Sequence, residues 1–304
     1  MLFYLAPMEG ITGYIVRNAY AHYFPYIDKY FTPFIPAAKK MSKKIKRDLA
    51  AENNEQIRLV PQLIGNRADE FLMMIRQLED LEFTSVNLNF GCPSGTVVSK
   101  RKGAGFLADP KELEMLLEEV LENSPLAVSV KTRVGIKDPD EWEALCGVYA
   151  KFPLEELIIH PRLQKDYYSG TPRMETFARA LEQIHVPLCY NGDICSVEDY
   201  KKVTAAFPAI DRIMIGRGLL ENPGLVGEIK GNPPADKARL RAFHDEILEG
   251  CLDTFRAEKD VVFHLKEIWF YLTKSFPDRE KYLKLIRKCQ SLQEYKLIVQ
   301  QIFS

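Results

Sequence analysis

Eight short apolar segments recur along the chain, and each of them runs into a polar or small residue. The segments are rich in valine, isoleucine, leucine and aromatic residues, which is typical of parallel strands buried on both faces. They cover residues 2–6, 30–32, 58–64, 85–88, 126–130, 157–159, 187–190 and 212–215. The pattern therefore predicts eight buried parallel strands.

Segments with helical periodicity separate these strands. The clearest cover residues 68–81, 110–121 and 139–150, and the pairs Asp109-Pro110 and Asp138-Pro139 resemble an N-cap followed by a first-turn proline. Eight strands that alternate with helices predict an α/β fold, a (β/α)8 TIM barrel, over residues 1–231. A doubly wound open sheet is the alternative fold.

The chain changes character at Gly231-Asn232-Pro233-Pro234, because its two prolines cannot continue a helix. Beyond this point the apolar residues keep the i, i+3/i+4 spacing of helices over residues 238–255, 261–275, 281–290 and 292–303. We expect residues 235–304 to form a second, all-α domain, a small helical bundle.

Composition excludes several classes of protein. With 46% hydrophobic and 27% charged residues the chain matches globular proteins, and no apolar run is long enough for a membrane span. The first residues lack the basic and long apolar regions of a signal peptide. The six cysteines are scattered without a C-x-x-C pair, so a reduced, cytoplasmic protein without a metal site is expected.

One stretch departs from the near-neutral charge of the chain, which is formally -1 and argues against a protein that coats bulk nucleic acid. Six of the nine residues from 39 to 47 are basic, namely Lys39, Lys40, Lys43, Lys44, Lys46 and Arg47. The simplest interpretation is a solvated helix face. A contact with an acidic partner is the alternative.

Polar and glycine residues stand where the predicted strands end, which is where barrel enzymes assemble their active sites. These positions are Pro7-Met8, Gln62, Asn89, Lys131, His160, Asn191-Gly192-Asp193 and Gly216-Arg217. In the last two groups, glycines permit close backbone approach to an anion, and Arg217 adds a cation at a helix N-terminus. A phosphate-bearing cofactor or substrate is therefore expected between these two loops.

The other strand-end residues suit a flat ring with hydrogen-bonding edges. Lys131 follows a buried strand and could stabilise negative charge on a reduced flavin, while Gln62 and the Met8 backbone could contact the same ring.

Cys92 lies in a Gly-Cys-Pro turn and is a candidate proton donor, because a thiol with a pKa near ~8.5 is largely protonated at neutral pH. A buried cysteine without a chemical role is the alternative. The loop that follows is basic at Lys100 and Arg101 and rich in glycine. We do not interpret it as a dinucleotide-binding turn, because no apolar strand precedes it.

Together these residues resemble the tRNA-dihydrouridine synthases, flavoenzymes that reduce a uridine in tRNA. The more specific part of the resemblance is Leu88-Asn89-Phe90-Gly91-Cys92-Pro93 with Lys131 and His160 at this spacing. The supporting motifs are Leu5-Ala6-Pro7-Met8-Glu9-Gly10-Ile11-Thr12, Gln62-Leu63-Ile64-Gly65, Val130-Lys131-Thr132-Arg133, His160-Pro161-Arg162, Asn191-Gly192-Asp193-Ile194 and Met214-Ile215-Gly216-Arg217-Gly218. The resemblance spans residues 2–226 and extends more weakly beyond them.

The resemblance implies a tightly bound FMN, NADPH or NADH as external reductant, and tRNA as partner. The implied FMN ligands are Pro7, Met8, Glu9, Gln62, Lys131, His160, Asn191, Gly192, Asp193, Gly216 and Arg217. Cys92 would protonate uracil C5 while reduced FMN delivers hydride to C6. Asn89, Arg162, Tyr168, Lys100 and Arg101 would contact the substrate. The helical domain would bind tRNA, and a monomer is expected.

Three positions differ from the pattern of the family. Gly13 stands where an aspartate usually follows the threonine, and Pro161 and Leu163 replace a glycine and a threonine.

Three other functions remain alternatives. They are an FMN barrel acting on a small pyrimidine or enone, as in dihydroorotate dehydrogenases, a non-catalytic RNA-binding barrel, and a flavin-free sugar-phosphate isomerase.

Overall fold

The computed structural model describes residues 1–304 and contains a ten-stranded sheet in which all neighbouring strands are parallel. The strands are β1 (Leu2–Leu5), β2 (Lys29–Phe31), β3 (Ile35–Pro36), β4 (Leu59–Val60), β5 (Gln62–Ile64), β6 (Ser85–Phe90), β7 (Ala127–Arg133), β8 (Leu157–His160), β9 (Leu188–Tyr190) and β10 (Arg212–Ile215). Strands occur at all eight predicted positions, and β3 is an addition that the sequence did not predict.

Helices fill the connections and the C-terminal region. Those before the proline break are α1 (Tyr14–Tyr23), α2 (Lys43–Leu49), α3 (Ala68–Glu79), α4 (Gly95–Val98), α5 (Pro110–Asn123), α6 (Glu141–Tyr149), α7 (Met174–Gln183), α8 (Val197–Ala206), α9 (Arg217–Glu221) and α10 (Leu225–Ile229). Those after it are α11 (Lys237–Thr254), α12 (Glu258–Leu272), α13 (Arg279–Lys288) and α14 (Leu292–Phe303). None of these helices combines the length and the apolar character that a membrane crossing requires.

The sheet closes into a barrel at Pro61. The strand order is β3-β5-β6-β7-β8-β9-β10-β1-β2-β4, with β4 and β5 towards opposite ends. These two strands are the halves of the predicted third strand, interrupted because proline has no N–H to donate to a ladder. The covalent link through Pro61 therefore joins the two sides of the sheet. The TIM-barrel prediction is confirmed, and the alternative of an open doubly wound sheet is wrong.

The barrel interior is apolar in the middle and charged where the strands begin. The apolar layer consists of Tyr4, Ala6, Phe31, Val60, Ile158, Cys189 and Met214. Below it, the fully buried carboxylate of Glu156 accepts hydrogen bonds from Lys29 at 2.7 Å, Tyr4 at 2.9 Å and Arg212 at 3.2 Å. This end of a barrel contributes to stability, whereas the opposite end holds the functional site.

The two proline-containing helix starts have different outcomes. The Asp109 side chain accepts hydrogen bonds from the N–H groups of Lys111 and Glu112, so the predicted cap of α5 is confirmed. The predicted start of α6 at Asp138-Pro139 is wrong, since this helix begins at Glu141. The Glu141 carboxylate accepts hydrogen bonds from backbone N–H groups of residues 136–138 and stabilises an extra turn before the helix.

The C-terminal helices pack directly on the barrel. Phe243 of α11 contacts Tyr20 near the end of α1 and Phe24 at its C-cap, with ring centroids 5.0 and 5.4 Å apart. At the barrel rim, the Ser275 hydroxyl donates to the Glu221 carbonyl at 2.6 Å. The predicted break falls between α10 and α11. Because apolar contacts cross it, one continuous core holds the helical region against the barrel.

Candidate active site

The side chains at the carboxyl ends of β6, β7 and β8 lie side by side because these strands pair in register. Asn89 is paired with Lys131, and Arg133 is paired with His160. Both β6 and β7 extend past their predicted ends, so Asn89 and Lys131 lie inside strands. Lys131 and Arg133 are two residues apart and therefore share one face of β7.

A cavity opens at this end of the barrel, between the loops that follow β1, β8, β9 and β10. The predicted residues that line it are Pro7, Met8, Lys131, His160, Tyr168, Asn191, Gly192, Asp193, Gly216 and Arg217. The other predicted residues lie outside this lining, namely Glu9, Gln62, Asn89, Cys92, Lys100, Arg101 and Arg162. The structure thus brings most of the predicted cofactor ligands together around one cavity, whereas most of the predicted substrate ligands do not line it.

The two glycine loops after β9 and β10 touch through their backbones. A β-carbon on Gly218 would lie 2.0 Å from the carbonyl oxygen of Ile194, so only glycine fits here. The Asn191 amide donates to the Met214 carbonyl at 2.8 Å and ties the two loops together. Helix α9 starts at Arg217, and N–H groups in a first helical turn have no acceptor within the helix. The arrangement suits an anion.

Asp193 is held by two arginines. Arg162 donates to both of its carboxylate oxygens, at 2.7 and 2.5 Å, and Arg217 donates to one of them at 2.5 Å. Burial acts to raise the pKa of Asp193, but Arg162 and Arg217 outweigh it and hold this pKa below its usual range. The carboxylate therefore stays ionised and aligns both guanidinium groups.

Arg162 does not face the opening, in contrast to the expectation that it contacts the substrate. Its side chain is fully buried and also donates to the carbonyls of Ser169 and Gly170. Arg162 therefore shapes the loop between β8 and α7 and fixes Asp193.

Lys131 and His160 have shifted pKa values in the cavity. Burial, reinforced by the charge of Arg133, lowers the pKa of Lys131 to about 8. Burial also lowers the pKa of His160 well below its usual value, and the cations of Arg133, Lys131, Arg162 and Arg217 add to this effect. His160 is therefore neutral at pH 7. Lys131 is mostly protonated at pH 7, and it loses its charge as the pH rises through about 8.

A chain of buried amides connects Gln62 to the cysteine turn. Gln62 accepts from the Asn89 amide and donates to Asn87, and both distances are 2.8 Å. The side-chain oxygen Oδ1 of Asn89 accepts from the N–H groups of Gly91 and Cys92, each at 2.9 Å. Gln62, expected to contact a flavin edge, and Asn89, expected to contact uracil, thus both orient the Cys92 turn in this structure.

Cys92 is partly exposed and lies on this turn directly after β6, whose Asn89 pairs with the cavity residue Lys131. Burial raises the pKa of its thiol, although the nearby cations of Lys131 and Arg133 act in the opposite direction. The glycine-rich loop packs against the turn, with the Ala104 N–H donating to the Cys92 carbonyl at 3.0 Å. A β-carbon on Gly103, which has a φ of 55°, would lie 2.9 Å from that carbonyl oxygen. The raised pKa keeps the thiol protonated at neutral pH. The hydrogen bond and the close packing of the glycine-rich loop hold the turn in place.

Arg133 fixes the cysteine turn from the other side, and the sequence analysis did not single it out. Its buried guanidinium donates to the carbonyls of Gly91 at 3.0 Å, Leu163 at 2.8 Å and Tyr167 at 2.7 Å. The signals in the sequence were its place in the Val130-Lys131-Thr132-Arg133 motif and its position two residues after Lys131, which puts it on the same face of the strand.

The remaining predicted residues lie on loops that follow barrel strands. Tyr168 is 48% exposed, and its ring covers the Arg217 guanidinium with a centroid distance of 4.7 Å. Lys100 and Arg101 are exposed, and Arg101 forms an ion pair with Glu112 at 2.6 Å. Glu9 is exposed on the loop after β1. An aromatic ring at the cavity and exposed cations on a neighbouring loop are thus available to a large ligand.

The basic run from residue 39 to 47 includes most of α2. All six of its cationic residues are exposed, and none of them forms an ion pair with a carboxylate. Lys44 lies close to His264 of α12, since its charge adds to burial in lowering the pKa of that histidine. The run therefore adjoins both the barrel rim and the helical region.

Comparison with known proteins identifies the family of this chain. The family model described as dihydrouridine synthase (Dus) matches residues 4–303. The chain belongs to the dihydrouridine synthase family.

Curated relatives of this family extend over most of the chain. A protein of Pseudomonas syringae pv. tomato named tRNA-dihydrouridine(16) synthase is 28% identical over 301 residues, which is 93% of each chain. A Staphylococcus epidermidis protein named probable tRNA-dihydrouridine synthase is 30% identical over 230 residues, covering 73% of this chain and 69% of the relative.

Solved structures resemble this family member in fold. Morphinone reductase superposes with a TM-score of 0.54 at 11% identity, covering 78% of this chain and 87% of that one. The old yellow enzyme homologue of Zymomonas mobilis gives a TM-score of 0.54 at 10% identity, covering 77% and 90%. These matches support the TIM-barrel architecture.

Proposed function

We propose that this dihydrouridine synthase family member reduces a uridine of tRNA to 5,6-dihydrouridine with a bound FMN and NAD(P)H. The observation that carries the proposal is the Cys92 turn, which hydrogen bonds hold next to the strand of Lys131, at a cavity with two glycine loops suited to a phosphate. The family description favours a catalyst over a silent RNA-binding barrel. It also disfavours a sugar-phosphate isomerase.

The residues of the cavity fit FMN. Gly192, Gly216 and Arg217 would hold its phosphate, because close backbone approach and a bidentate cation suit a phosphate group. Pro7, Met8, Lys131, His160, Asn191 and Asp193 would surround the rest of the cofactor. When bound and reduced by NAD(P)H, the flavin supplies a hydride to C6 of the uracil ring. Lys131 would stabilise the negative charge of the reduced ring.

Cys92 would complete the reduction as a general acid. The C5–C6 double bond gains a hydride at C6 and a proton at C5, and the Cys92 thiol is the source of that proton. Its raised pKa keeps the thiol protonated until the substrate requires the proton. The thiolate that remains then regains a proton from solvent. Asn89 and Arg133 act through the turn, because they hold Gly91 and Cys92 by hydrogen bonds.

tRNA would lie across the rim, over α2, the loop at Lys100 and Arg101, and the helical region of residues 235–304. The target base must leave its stack, which costs a few kcal/mol, and contacts between these cations and phosphates would offset that cost. Tyr168 is available to stack on the extruded nucleotide. We place the protein in the cytoplasm as a monomer, where tRNA and NAD(P)H are both present.

The proposal is tested on tRNA from cells in which the gene is disrupted. Dihydrouridine is heavier than uridine by two hydrogen atoms. Mass spectrometry of tRNA fragments should therefore show the lighter uridine in place of dihydrouridine at one position. Because the Pseudomonas syringae relative is named for position 16, we expect the loss there. Complementation with the native gene should restore the modification. An unchanged dihydrouridine content at every position would contradict the proposal.

The affinity of the cavity for FMN should depend on pH through Lys131. Below pH 8 the Lys131 ammonium is charged, and it loses its proton as the pH rises through about 8. We expect the FMN dissociation constant to increase about three- to tenfold between roughly pH 7 and 9, measured by fluorescence titration. The Lys131→Gln variant should bind more weakly and show no such dependence. Equal pH dependence in both proteins would contradict this role of Lys131.

Charge reversal on α2 should weaken tRNA binding. The double variant Lys43→Glu, Lys44→Glu should lose about tenfold in affinity at low salt, and the slope of log K against log salt should fall by about two. The matched control is Lys201→Glu, Lys202→Glu, an exposed adjacent pair on α8. Filter binding at several salt concentrations distinguishes them. The same loss in both variants would identify α2 as an ordinary solvated face.

A further inference from the structure

Helix α1 begins without a capping side chain of its own. Its N-cap is Gly13, which has no side-chain oxygen to accept a hydrogen bond from the first turn. The acceptor comes from another helix, because Asp48 Oδ1 of α2 accepts from the Tyr14 N–H at 2.8 Å. Asp48 therefore stabilises the start of α1 from outside that helix.

The same carboxylate neutralises a buried cation. Arg17 of α1 is fully buried, and its guanidinium lies 3.2 Å from Asp48 Oδ2. Arg17 also donates to the Asp48 carbonyl and to Asn54 Oδ1, each at 2.9 Å. Burial lowers the pKa of Arg17, and Asp48 counteracts that effect. Without Asp48 the barrel would retain an uncompensated buried charge.

The network continues to the cavity. Arg17 donates to the Thr12 carbonyl at 2.9 Å. The Thr12 hydroxyl accepts from the Met8 N–H at 2.8 Å and donates to the Met8 carbonyl at 3.3 Å. Met8 lines the cavity, and α2 carries the exposed cations. An unbroken series of hydrogen bonds thus links the basic helix to the cavity wall.

The geometry around Gly13 shows what Asp48 replaces. A β-carbon built on Gly13 would lie 3.4 Å from Asp48 Oδ1. A side chain at position 13 would therefore point to the place that the Asp48 carboxylate occupies. The φ of Gly13 is -66°, which any residue adopts, so the backbone permits a side chain here, and its β-carbon would be in ordinary contact with the Asp48 carboxylate.

We propose that Asp48 is a positioning residue that replaces an N-cap side chain at Gly13 and couples the basic helix α2 to the loop carrying Met8. The coupling rests on the proposed function, since it links the surface expected to contact tRNA with the cavity expected to hold FMN. The replacement of the cap does not depend on that function.

A cycle of variants tests the replacement. Asp48→Ala should lower the Tm of the purified protein by about 5–10 °C, and Gly13→Asp alone should lower it because two carboxylates would share one place. The double variant should regain at least half of the loss of Asp48→Ala. The control is Asp236→Ala, which removes a cap of α11 without a buried cation and should not be rescued by Gly13→Asp. A double variant no more stable than Asp48→Ala would overturn the replacement.

Release of FMN from the same proteins tests the coupling. On dilution, Asp48→Ala should release FMN about tenfold faster than the native protein, and the double variant should return towards the native rate. A purely structural role would lower the Tm and leave the release rate within about twofold, and this result would overturn the coupling. If the native protein binds no FMN, the proposed function fails, while the Tm cycle still decides whether Asp48 replaces a side chain at Gly13.

Discussion

Replacing Cys92 with alanine should lower turnover on tRNA by about 10²- to 10⁴-fold, the usual contribution of a positioned general acid. The variant should keep its flavin and its affinity for tRNA, because Cys92 lies outside the cavity lining and off the basic helix. Steady-state kinetics with NADPH and unmodified tRNA measures the turnover. Flavin absorbance of the purified variant measures the occupancy.

The matched control is Cys195→Ala. Cys195 is also partly exposed and lines the cavity, and burial raises the pKa of its thiol to about 11. Its N–H donates to the Asp199 carboxylate at 3.2 Å, and it lies on the loop between β9 and α8, whereas Cys92 follows β6. We expect near-native turnover from this variant. Near-native turnover of Cys92→Ala would show that Cys92 is not the general acid.

Replacing Glu156 with glutamine should lower the free energy of unfolding by about 3 kcal/mol, because the substitution leaves buried cations without their counter-charge. The Glu156 carboxylate accepts from Lys29, Tyr4 and Arg212, which belong to three different strands. The loss should appear in urea denaturation as a lower midpoint with an unchanged m-value.

The neighbouring residue provides the control for this prediction. Glu155 faces Lys29 and Arg58 only at 3.7 Å, and its side chain is 23% exposed. The Glu155→Gln variant should therefore lose less than about 1 kcal/mol. A loss below about 1 kcal/mol at Glu156 as well would show that the ionic cluster around this residue contributes no more than a surface pair.

The sequence was sufficient to predict the barrel fold, because parallel strands buried on both faces have a strong apolar pattern. Two features of the barrel left no such pattern. Pro61 interrupts a strand whose apolar pattern is continuous in the sequence. Its effect depends on which adjacent strand would otherwise accept a hydrogen bond from the N–H of residue 61. The charged layer around Glu156 consists of residues at strand starts, and in sequence these look like ordinary surface charges.

The position of the cavity could be predicted as well, since active-site residues follow the carboxyl ends of barrel strands. Hydrogen-bond pairing could not be predicted, because it depends on loop shape. Arg162 was expected at the opening, yet it is buried against Asp193. Gln62 was expected at the flavin, yet both of its polar atoms bond to asparagines. Asp48 accepts the hydrogen bond at the start of α1 from a position 34 residues later in the chain, so no local sequence motif predicted this contact.

A single-turnover reaction tests the central claim most directly. The purified protein is reduced with NADPH, freed of excess nucleotide without oxygen, and mixed with an unmodified tRNA transcript. Mass spectrometry then counts the dihydrouridine formed. The account predicts dihydrouridine in an amount equal to the bound flavin for the native protein, and almost none over the same time for Cys92→Ala. A reduced, flavin-loaded native protein that leaves every uridine unchanged would contradict it.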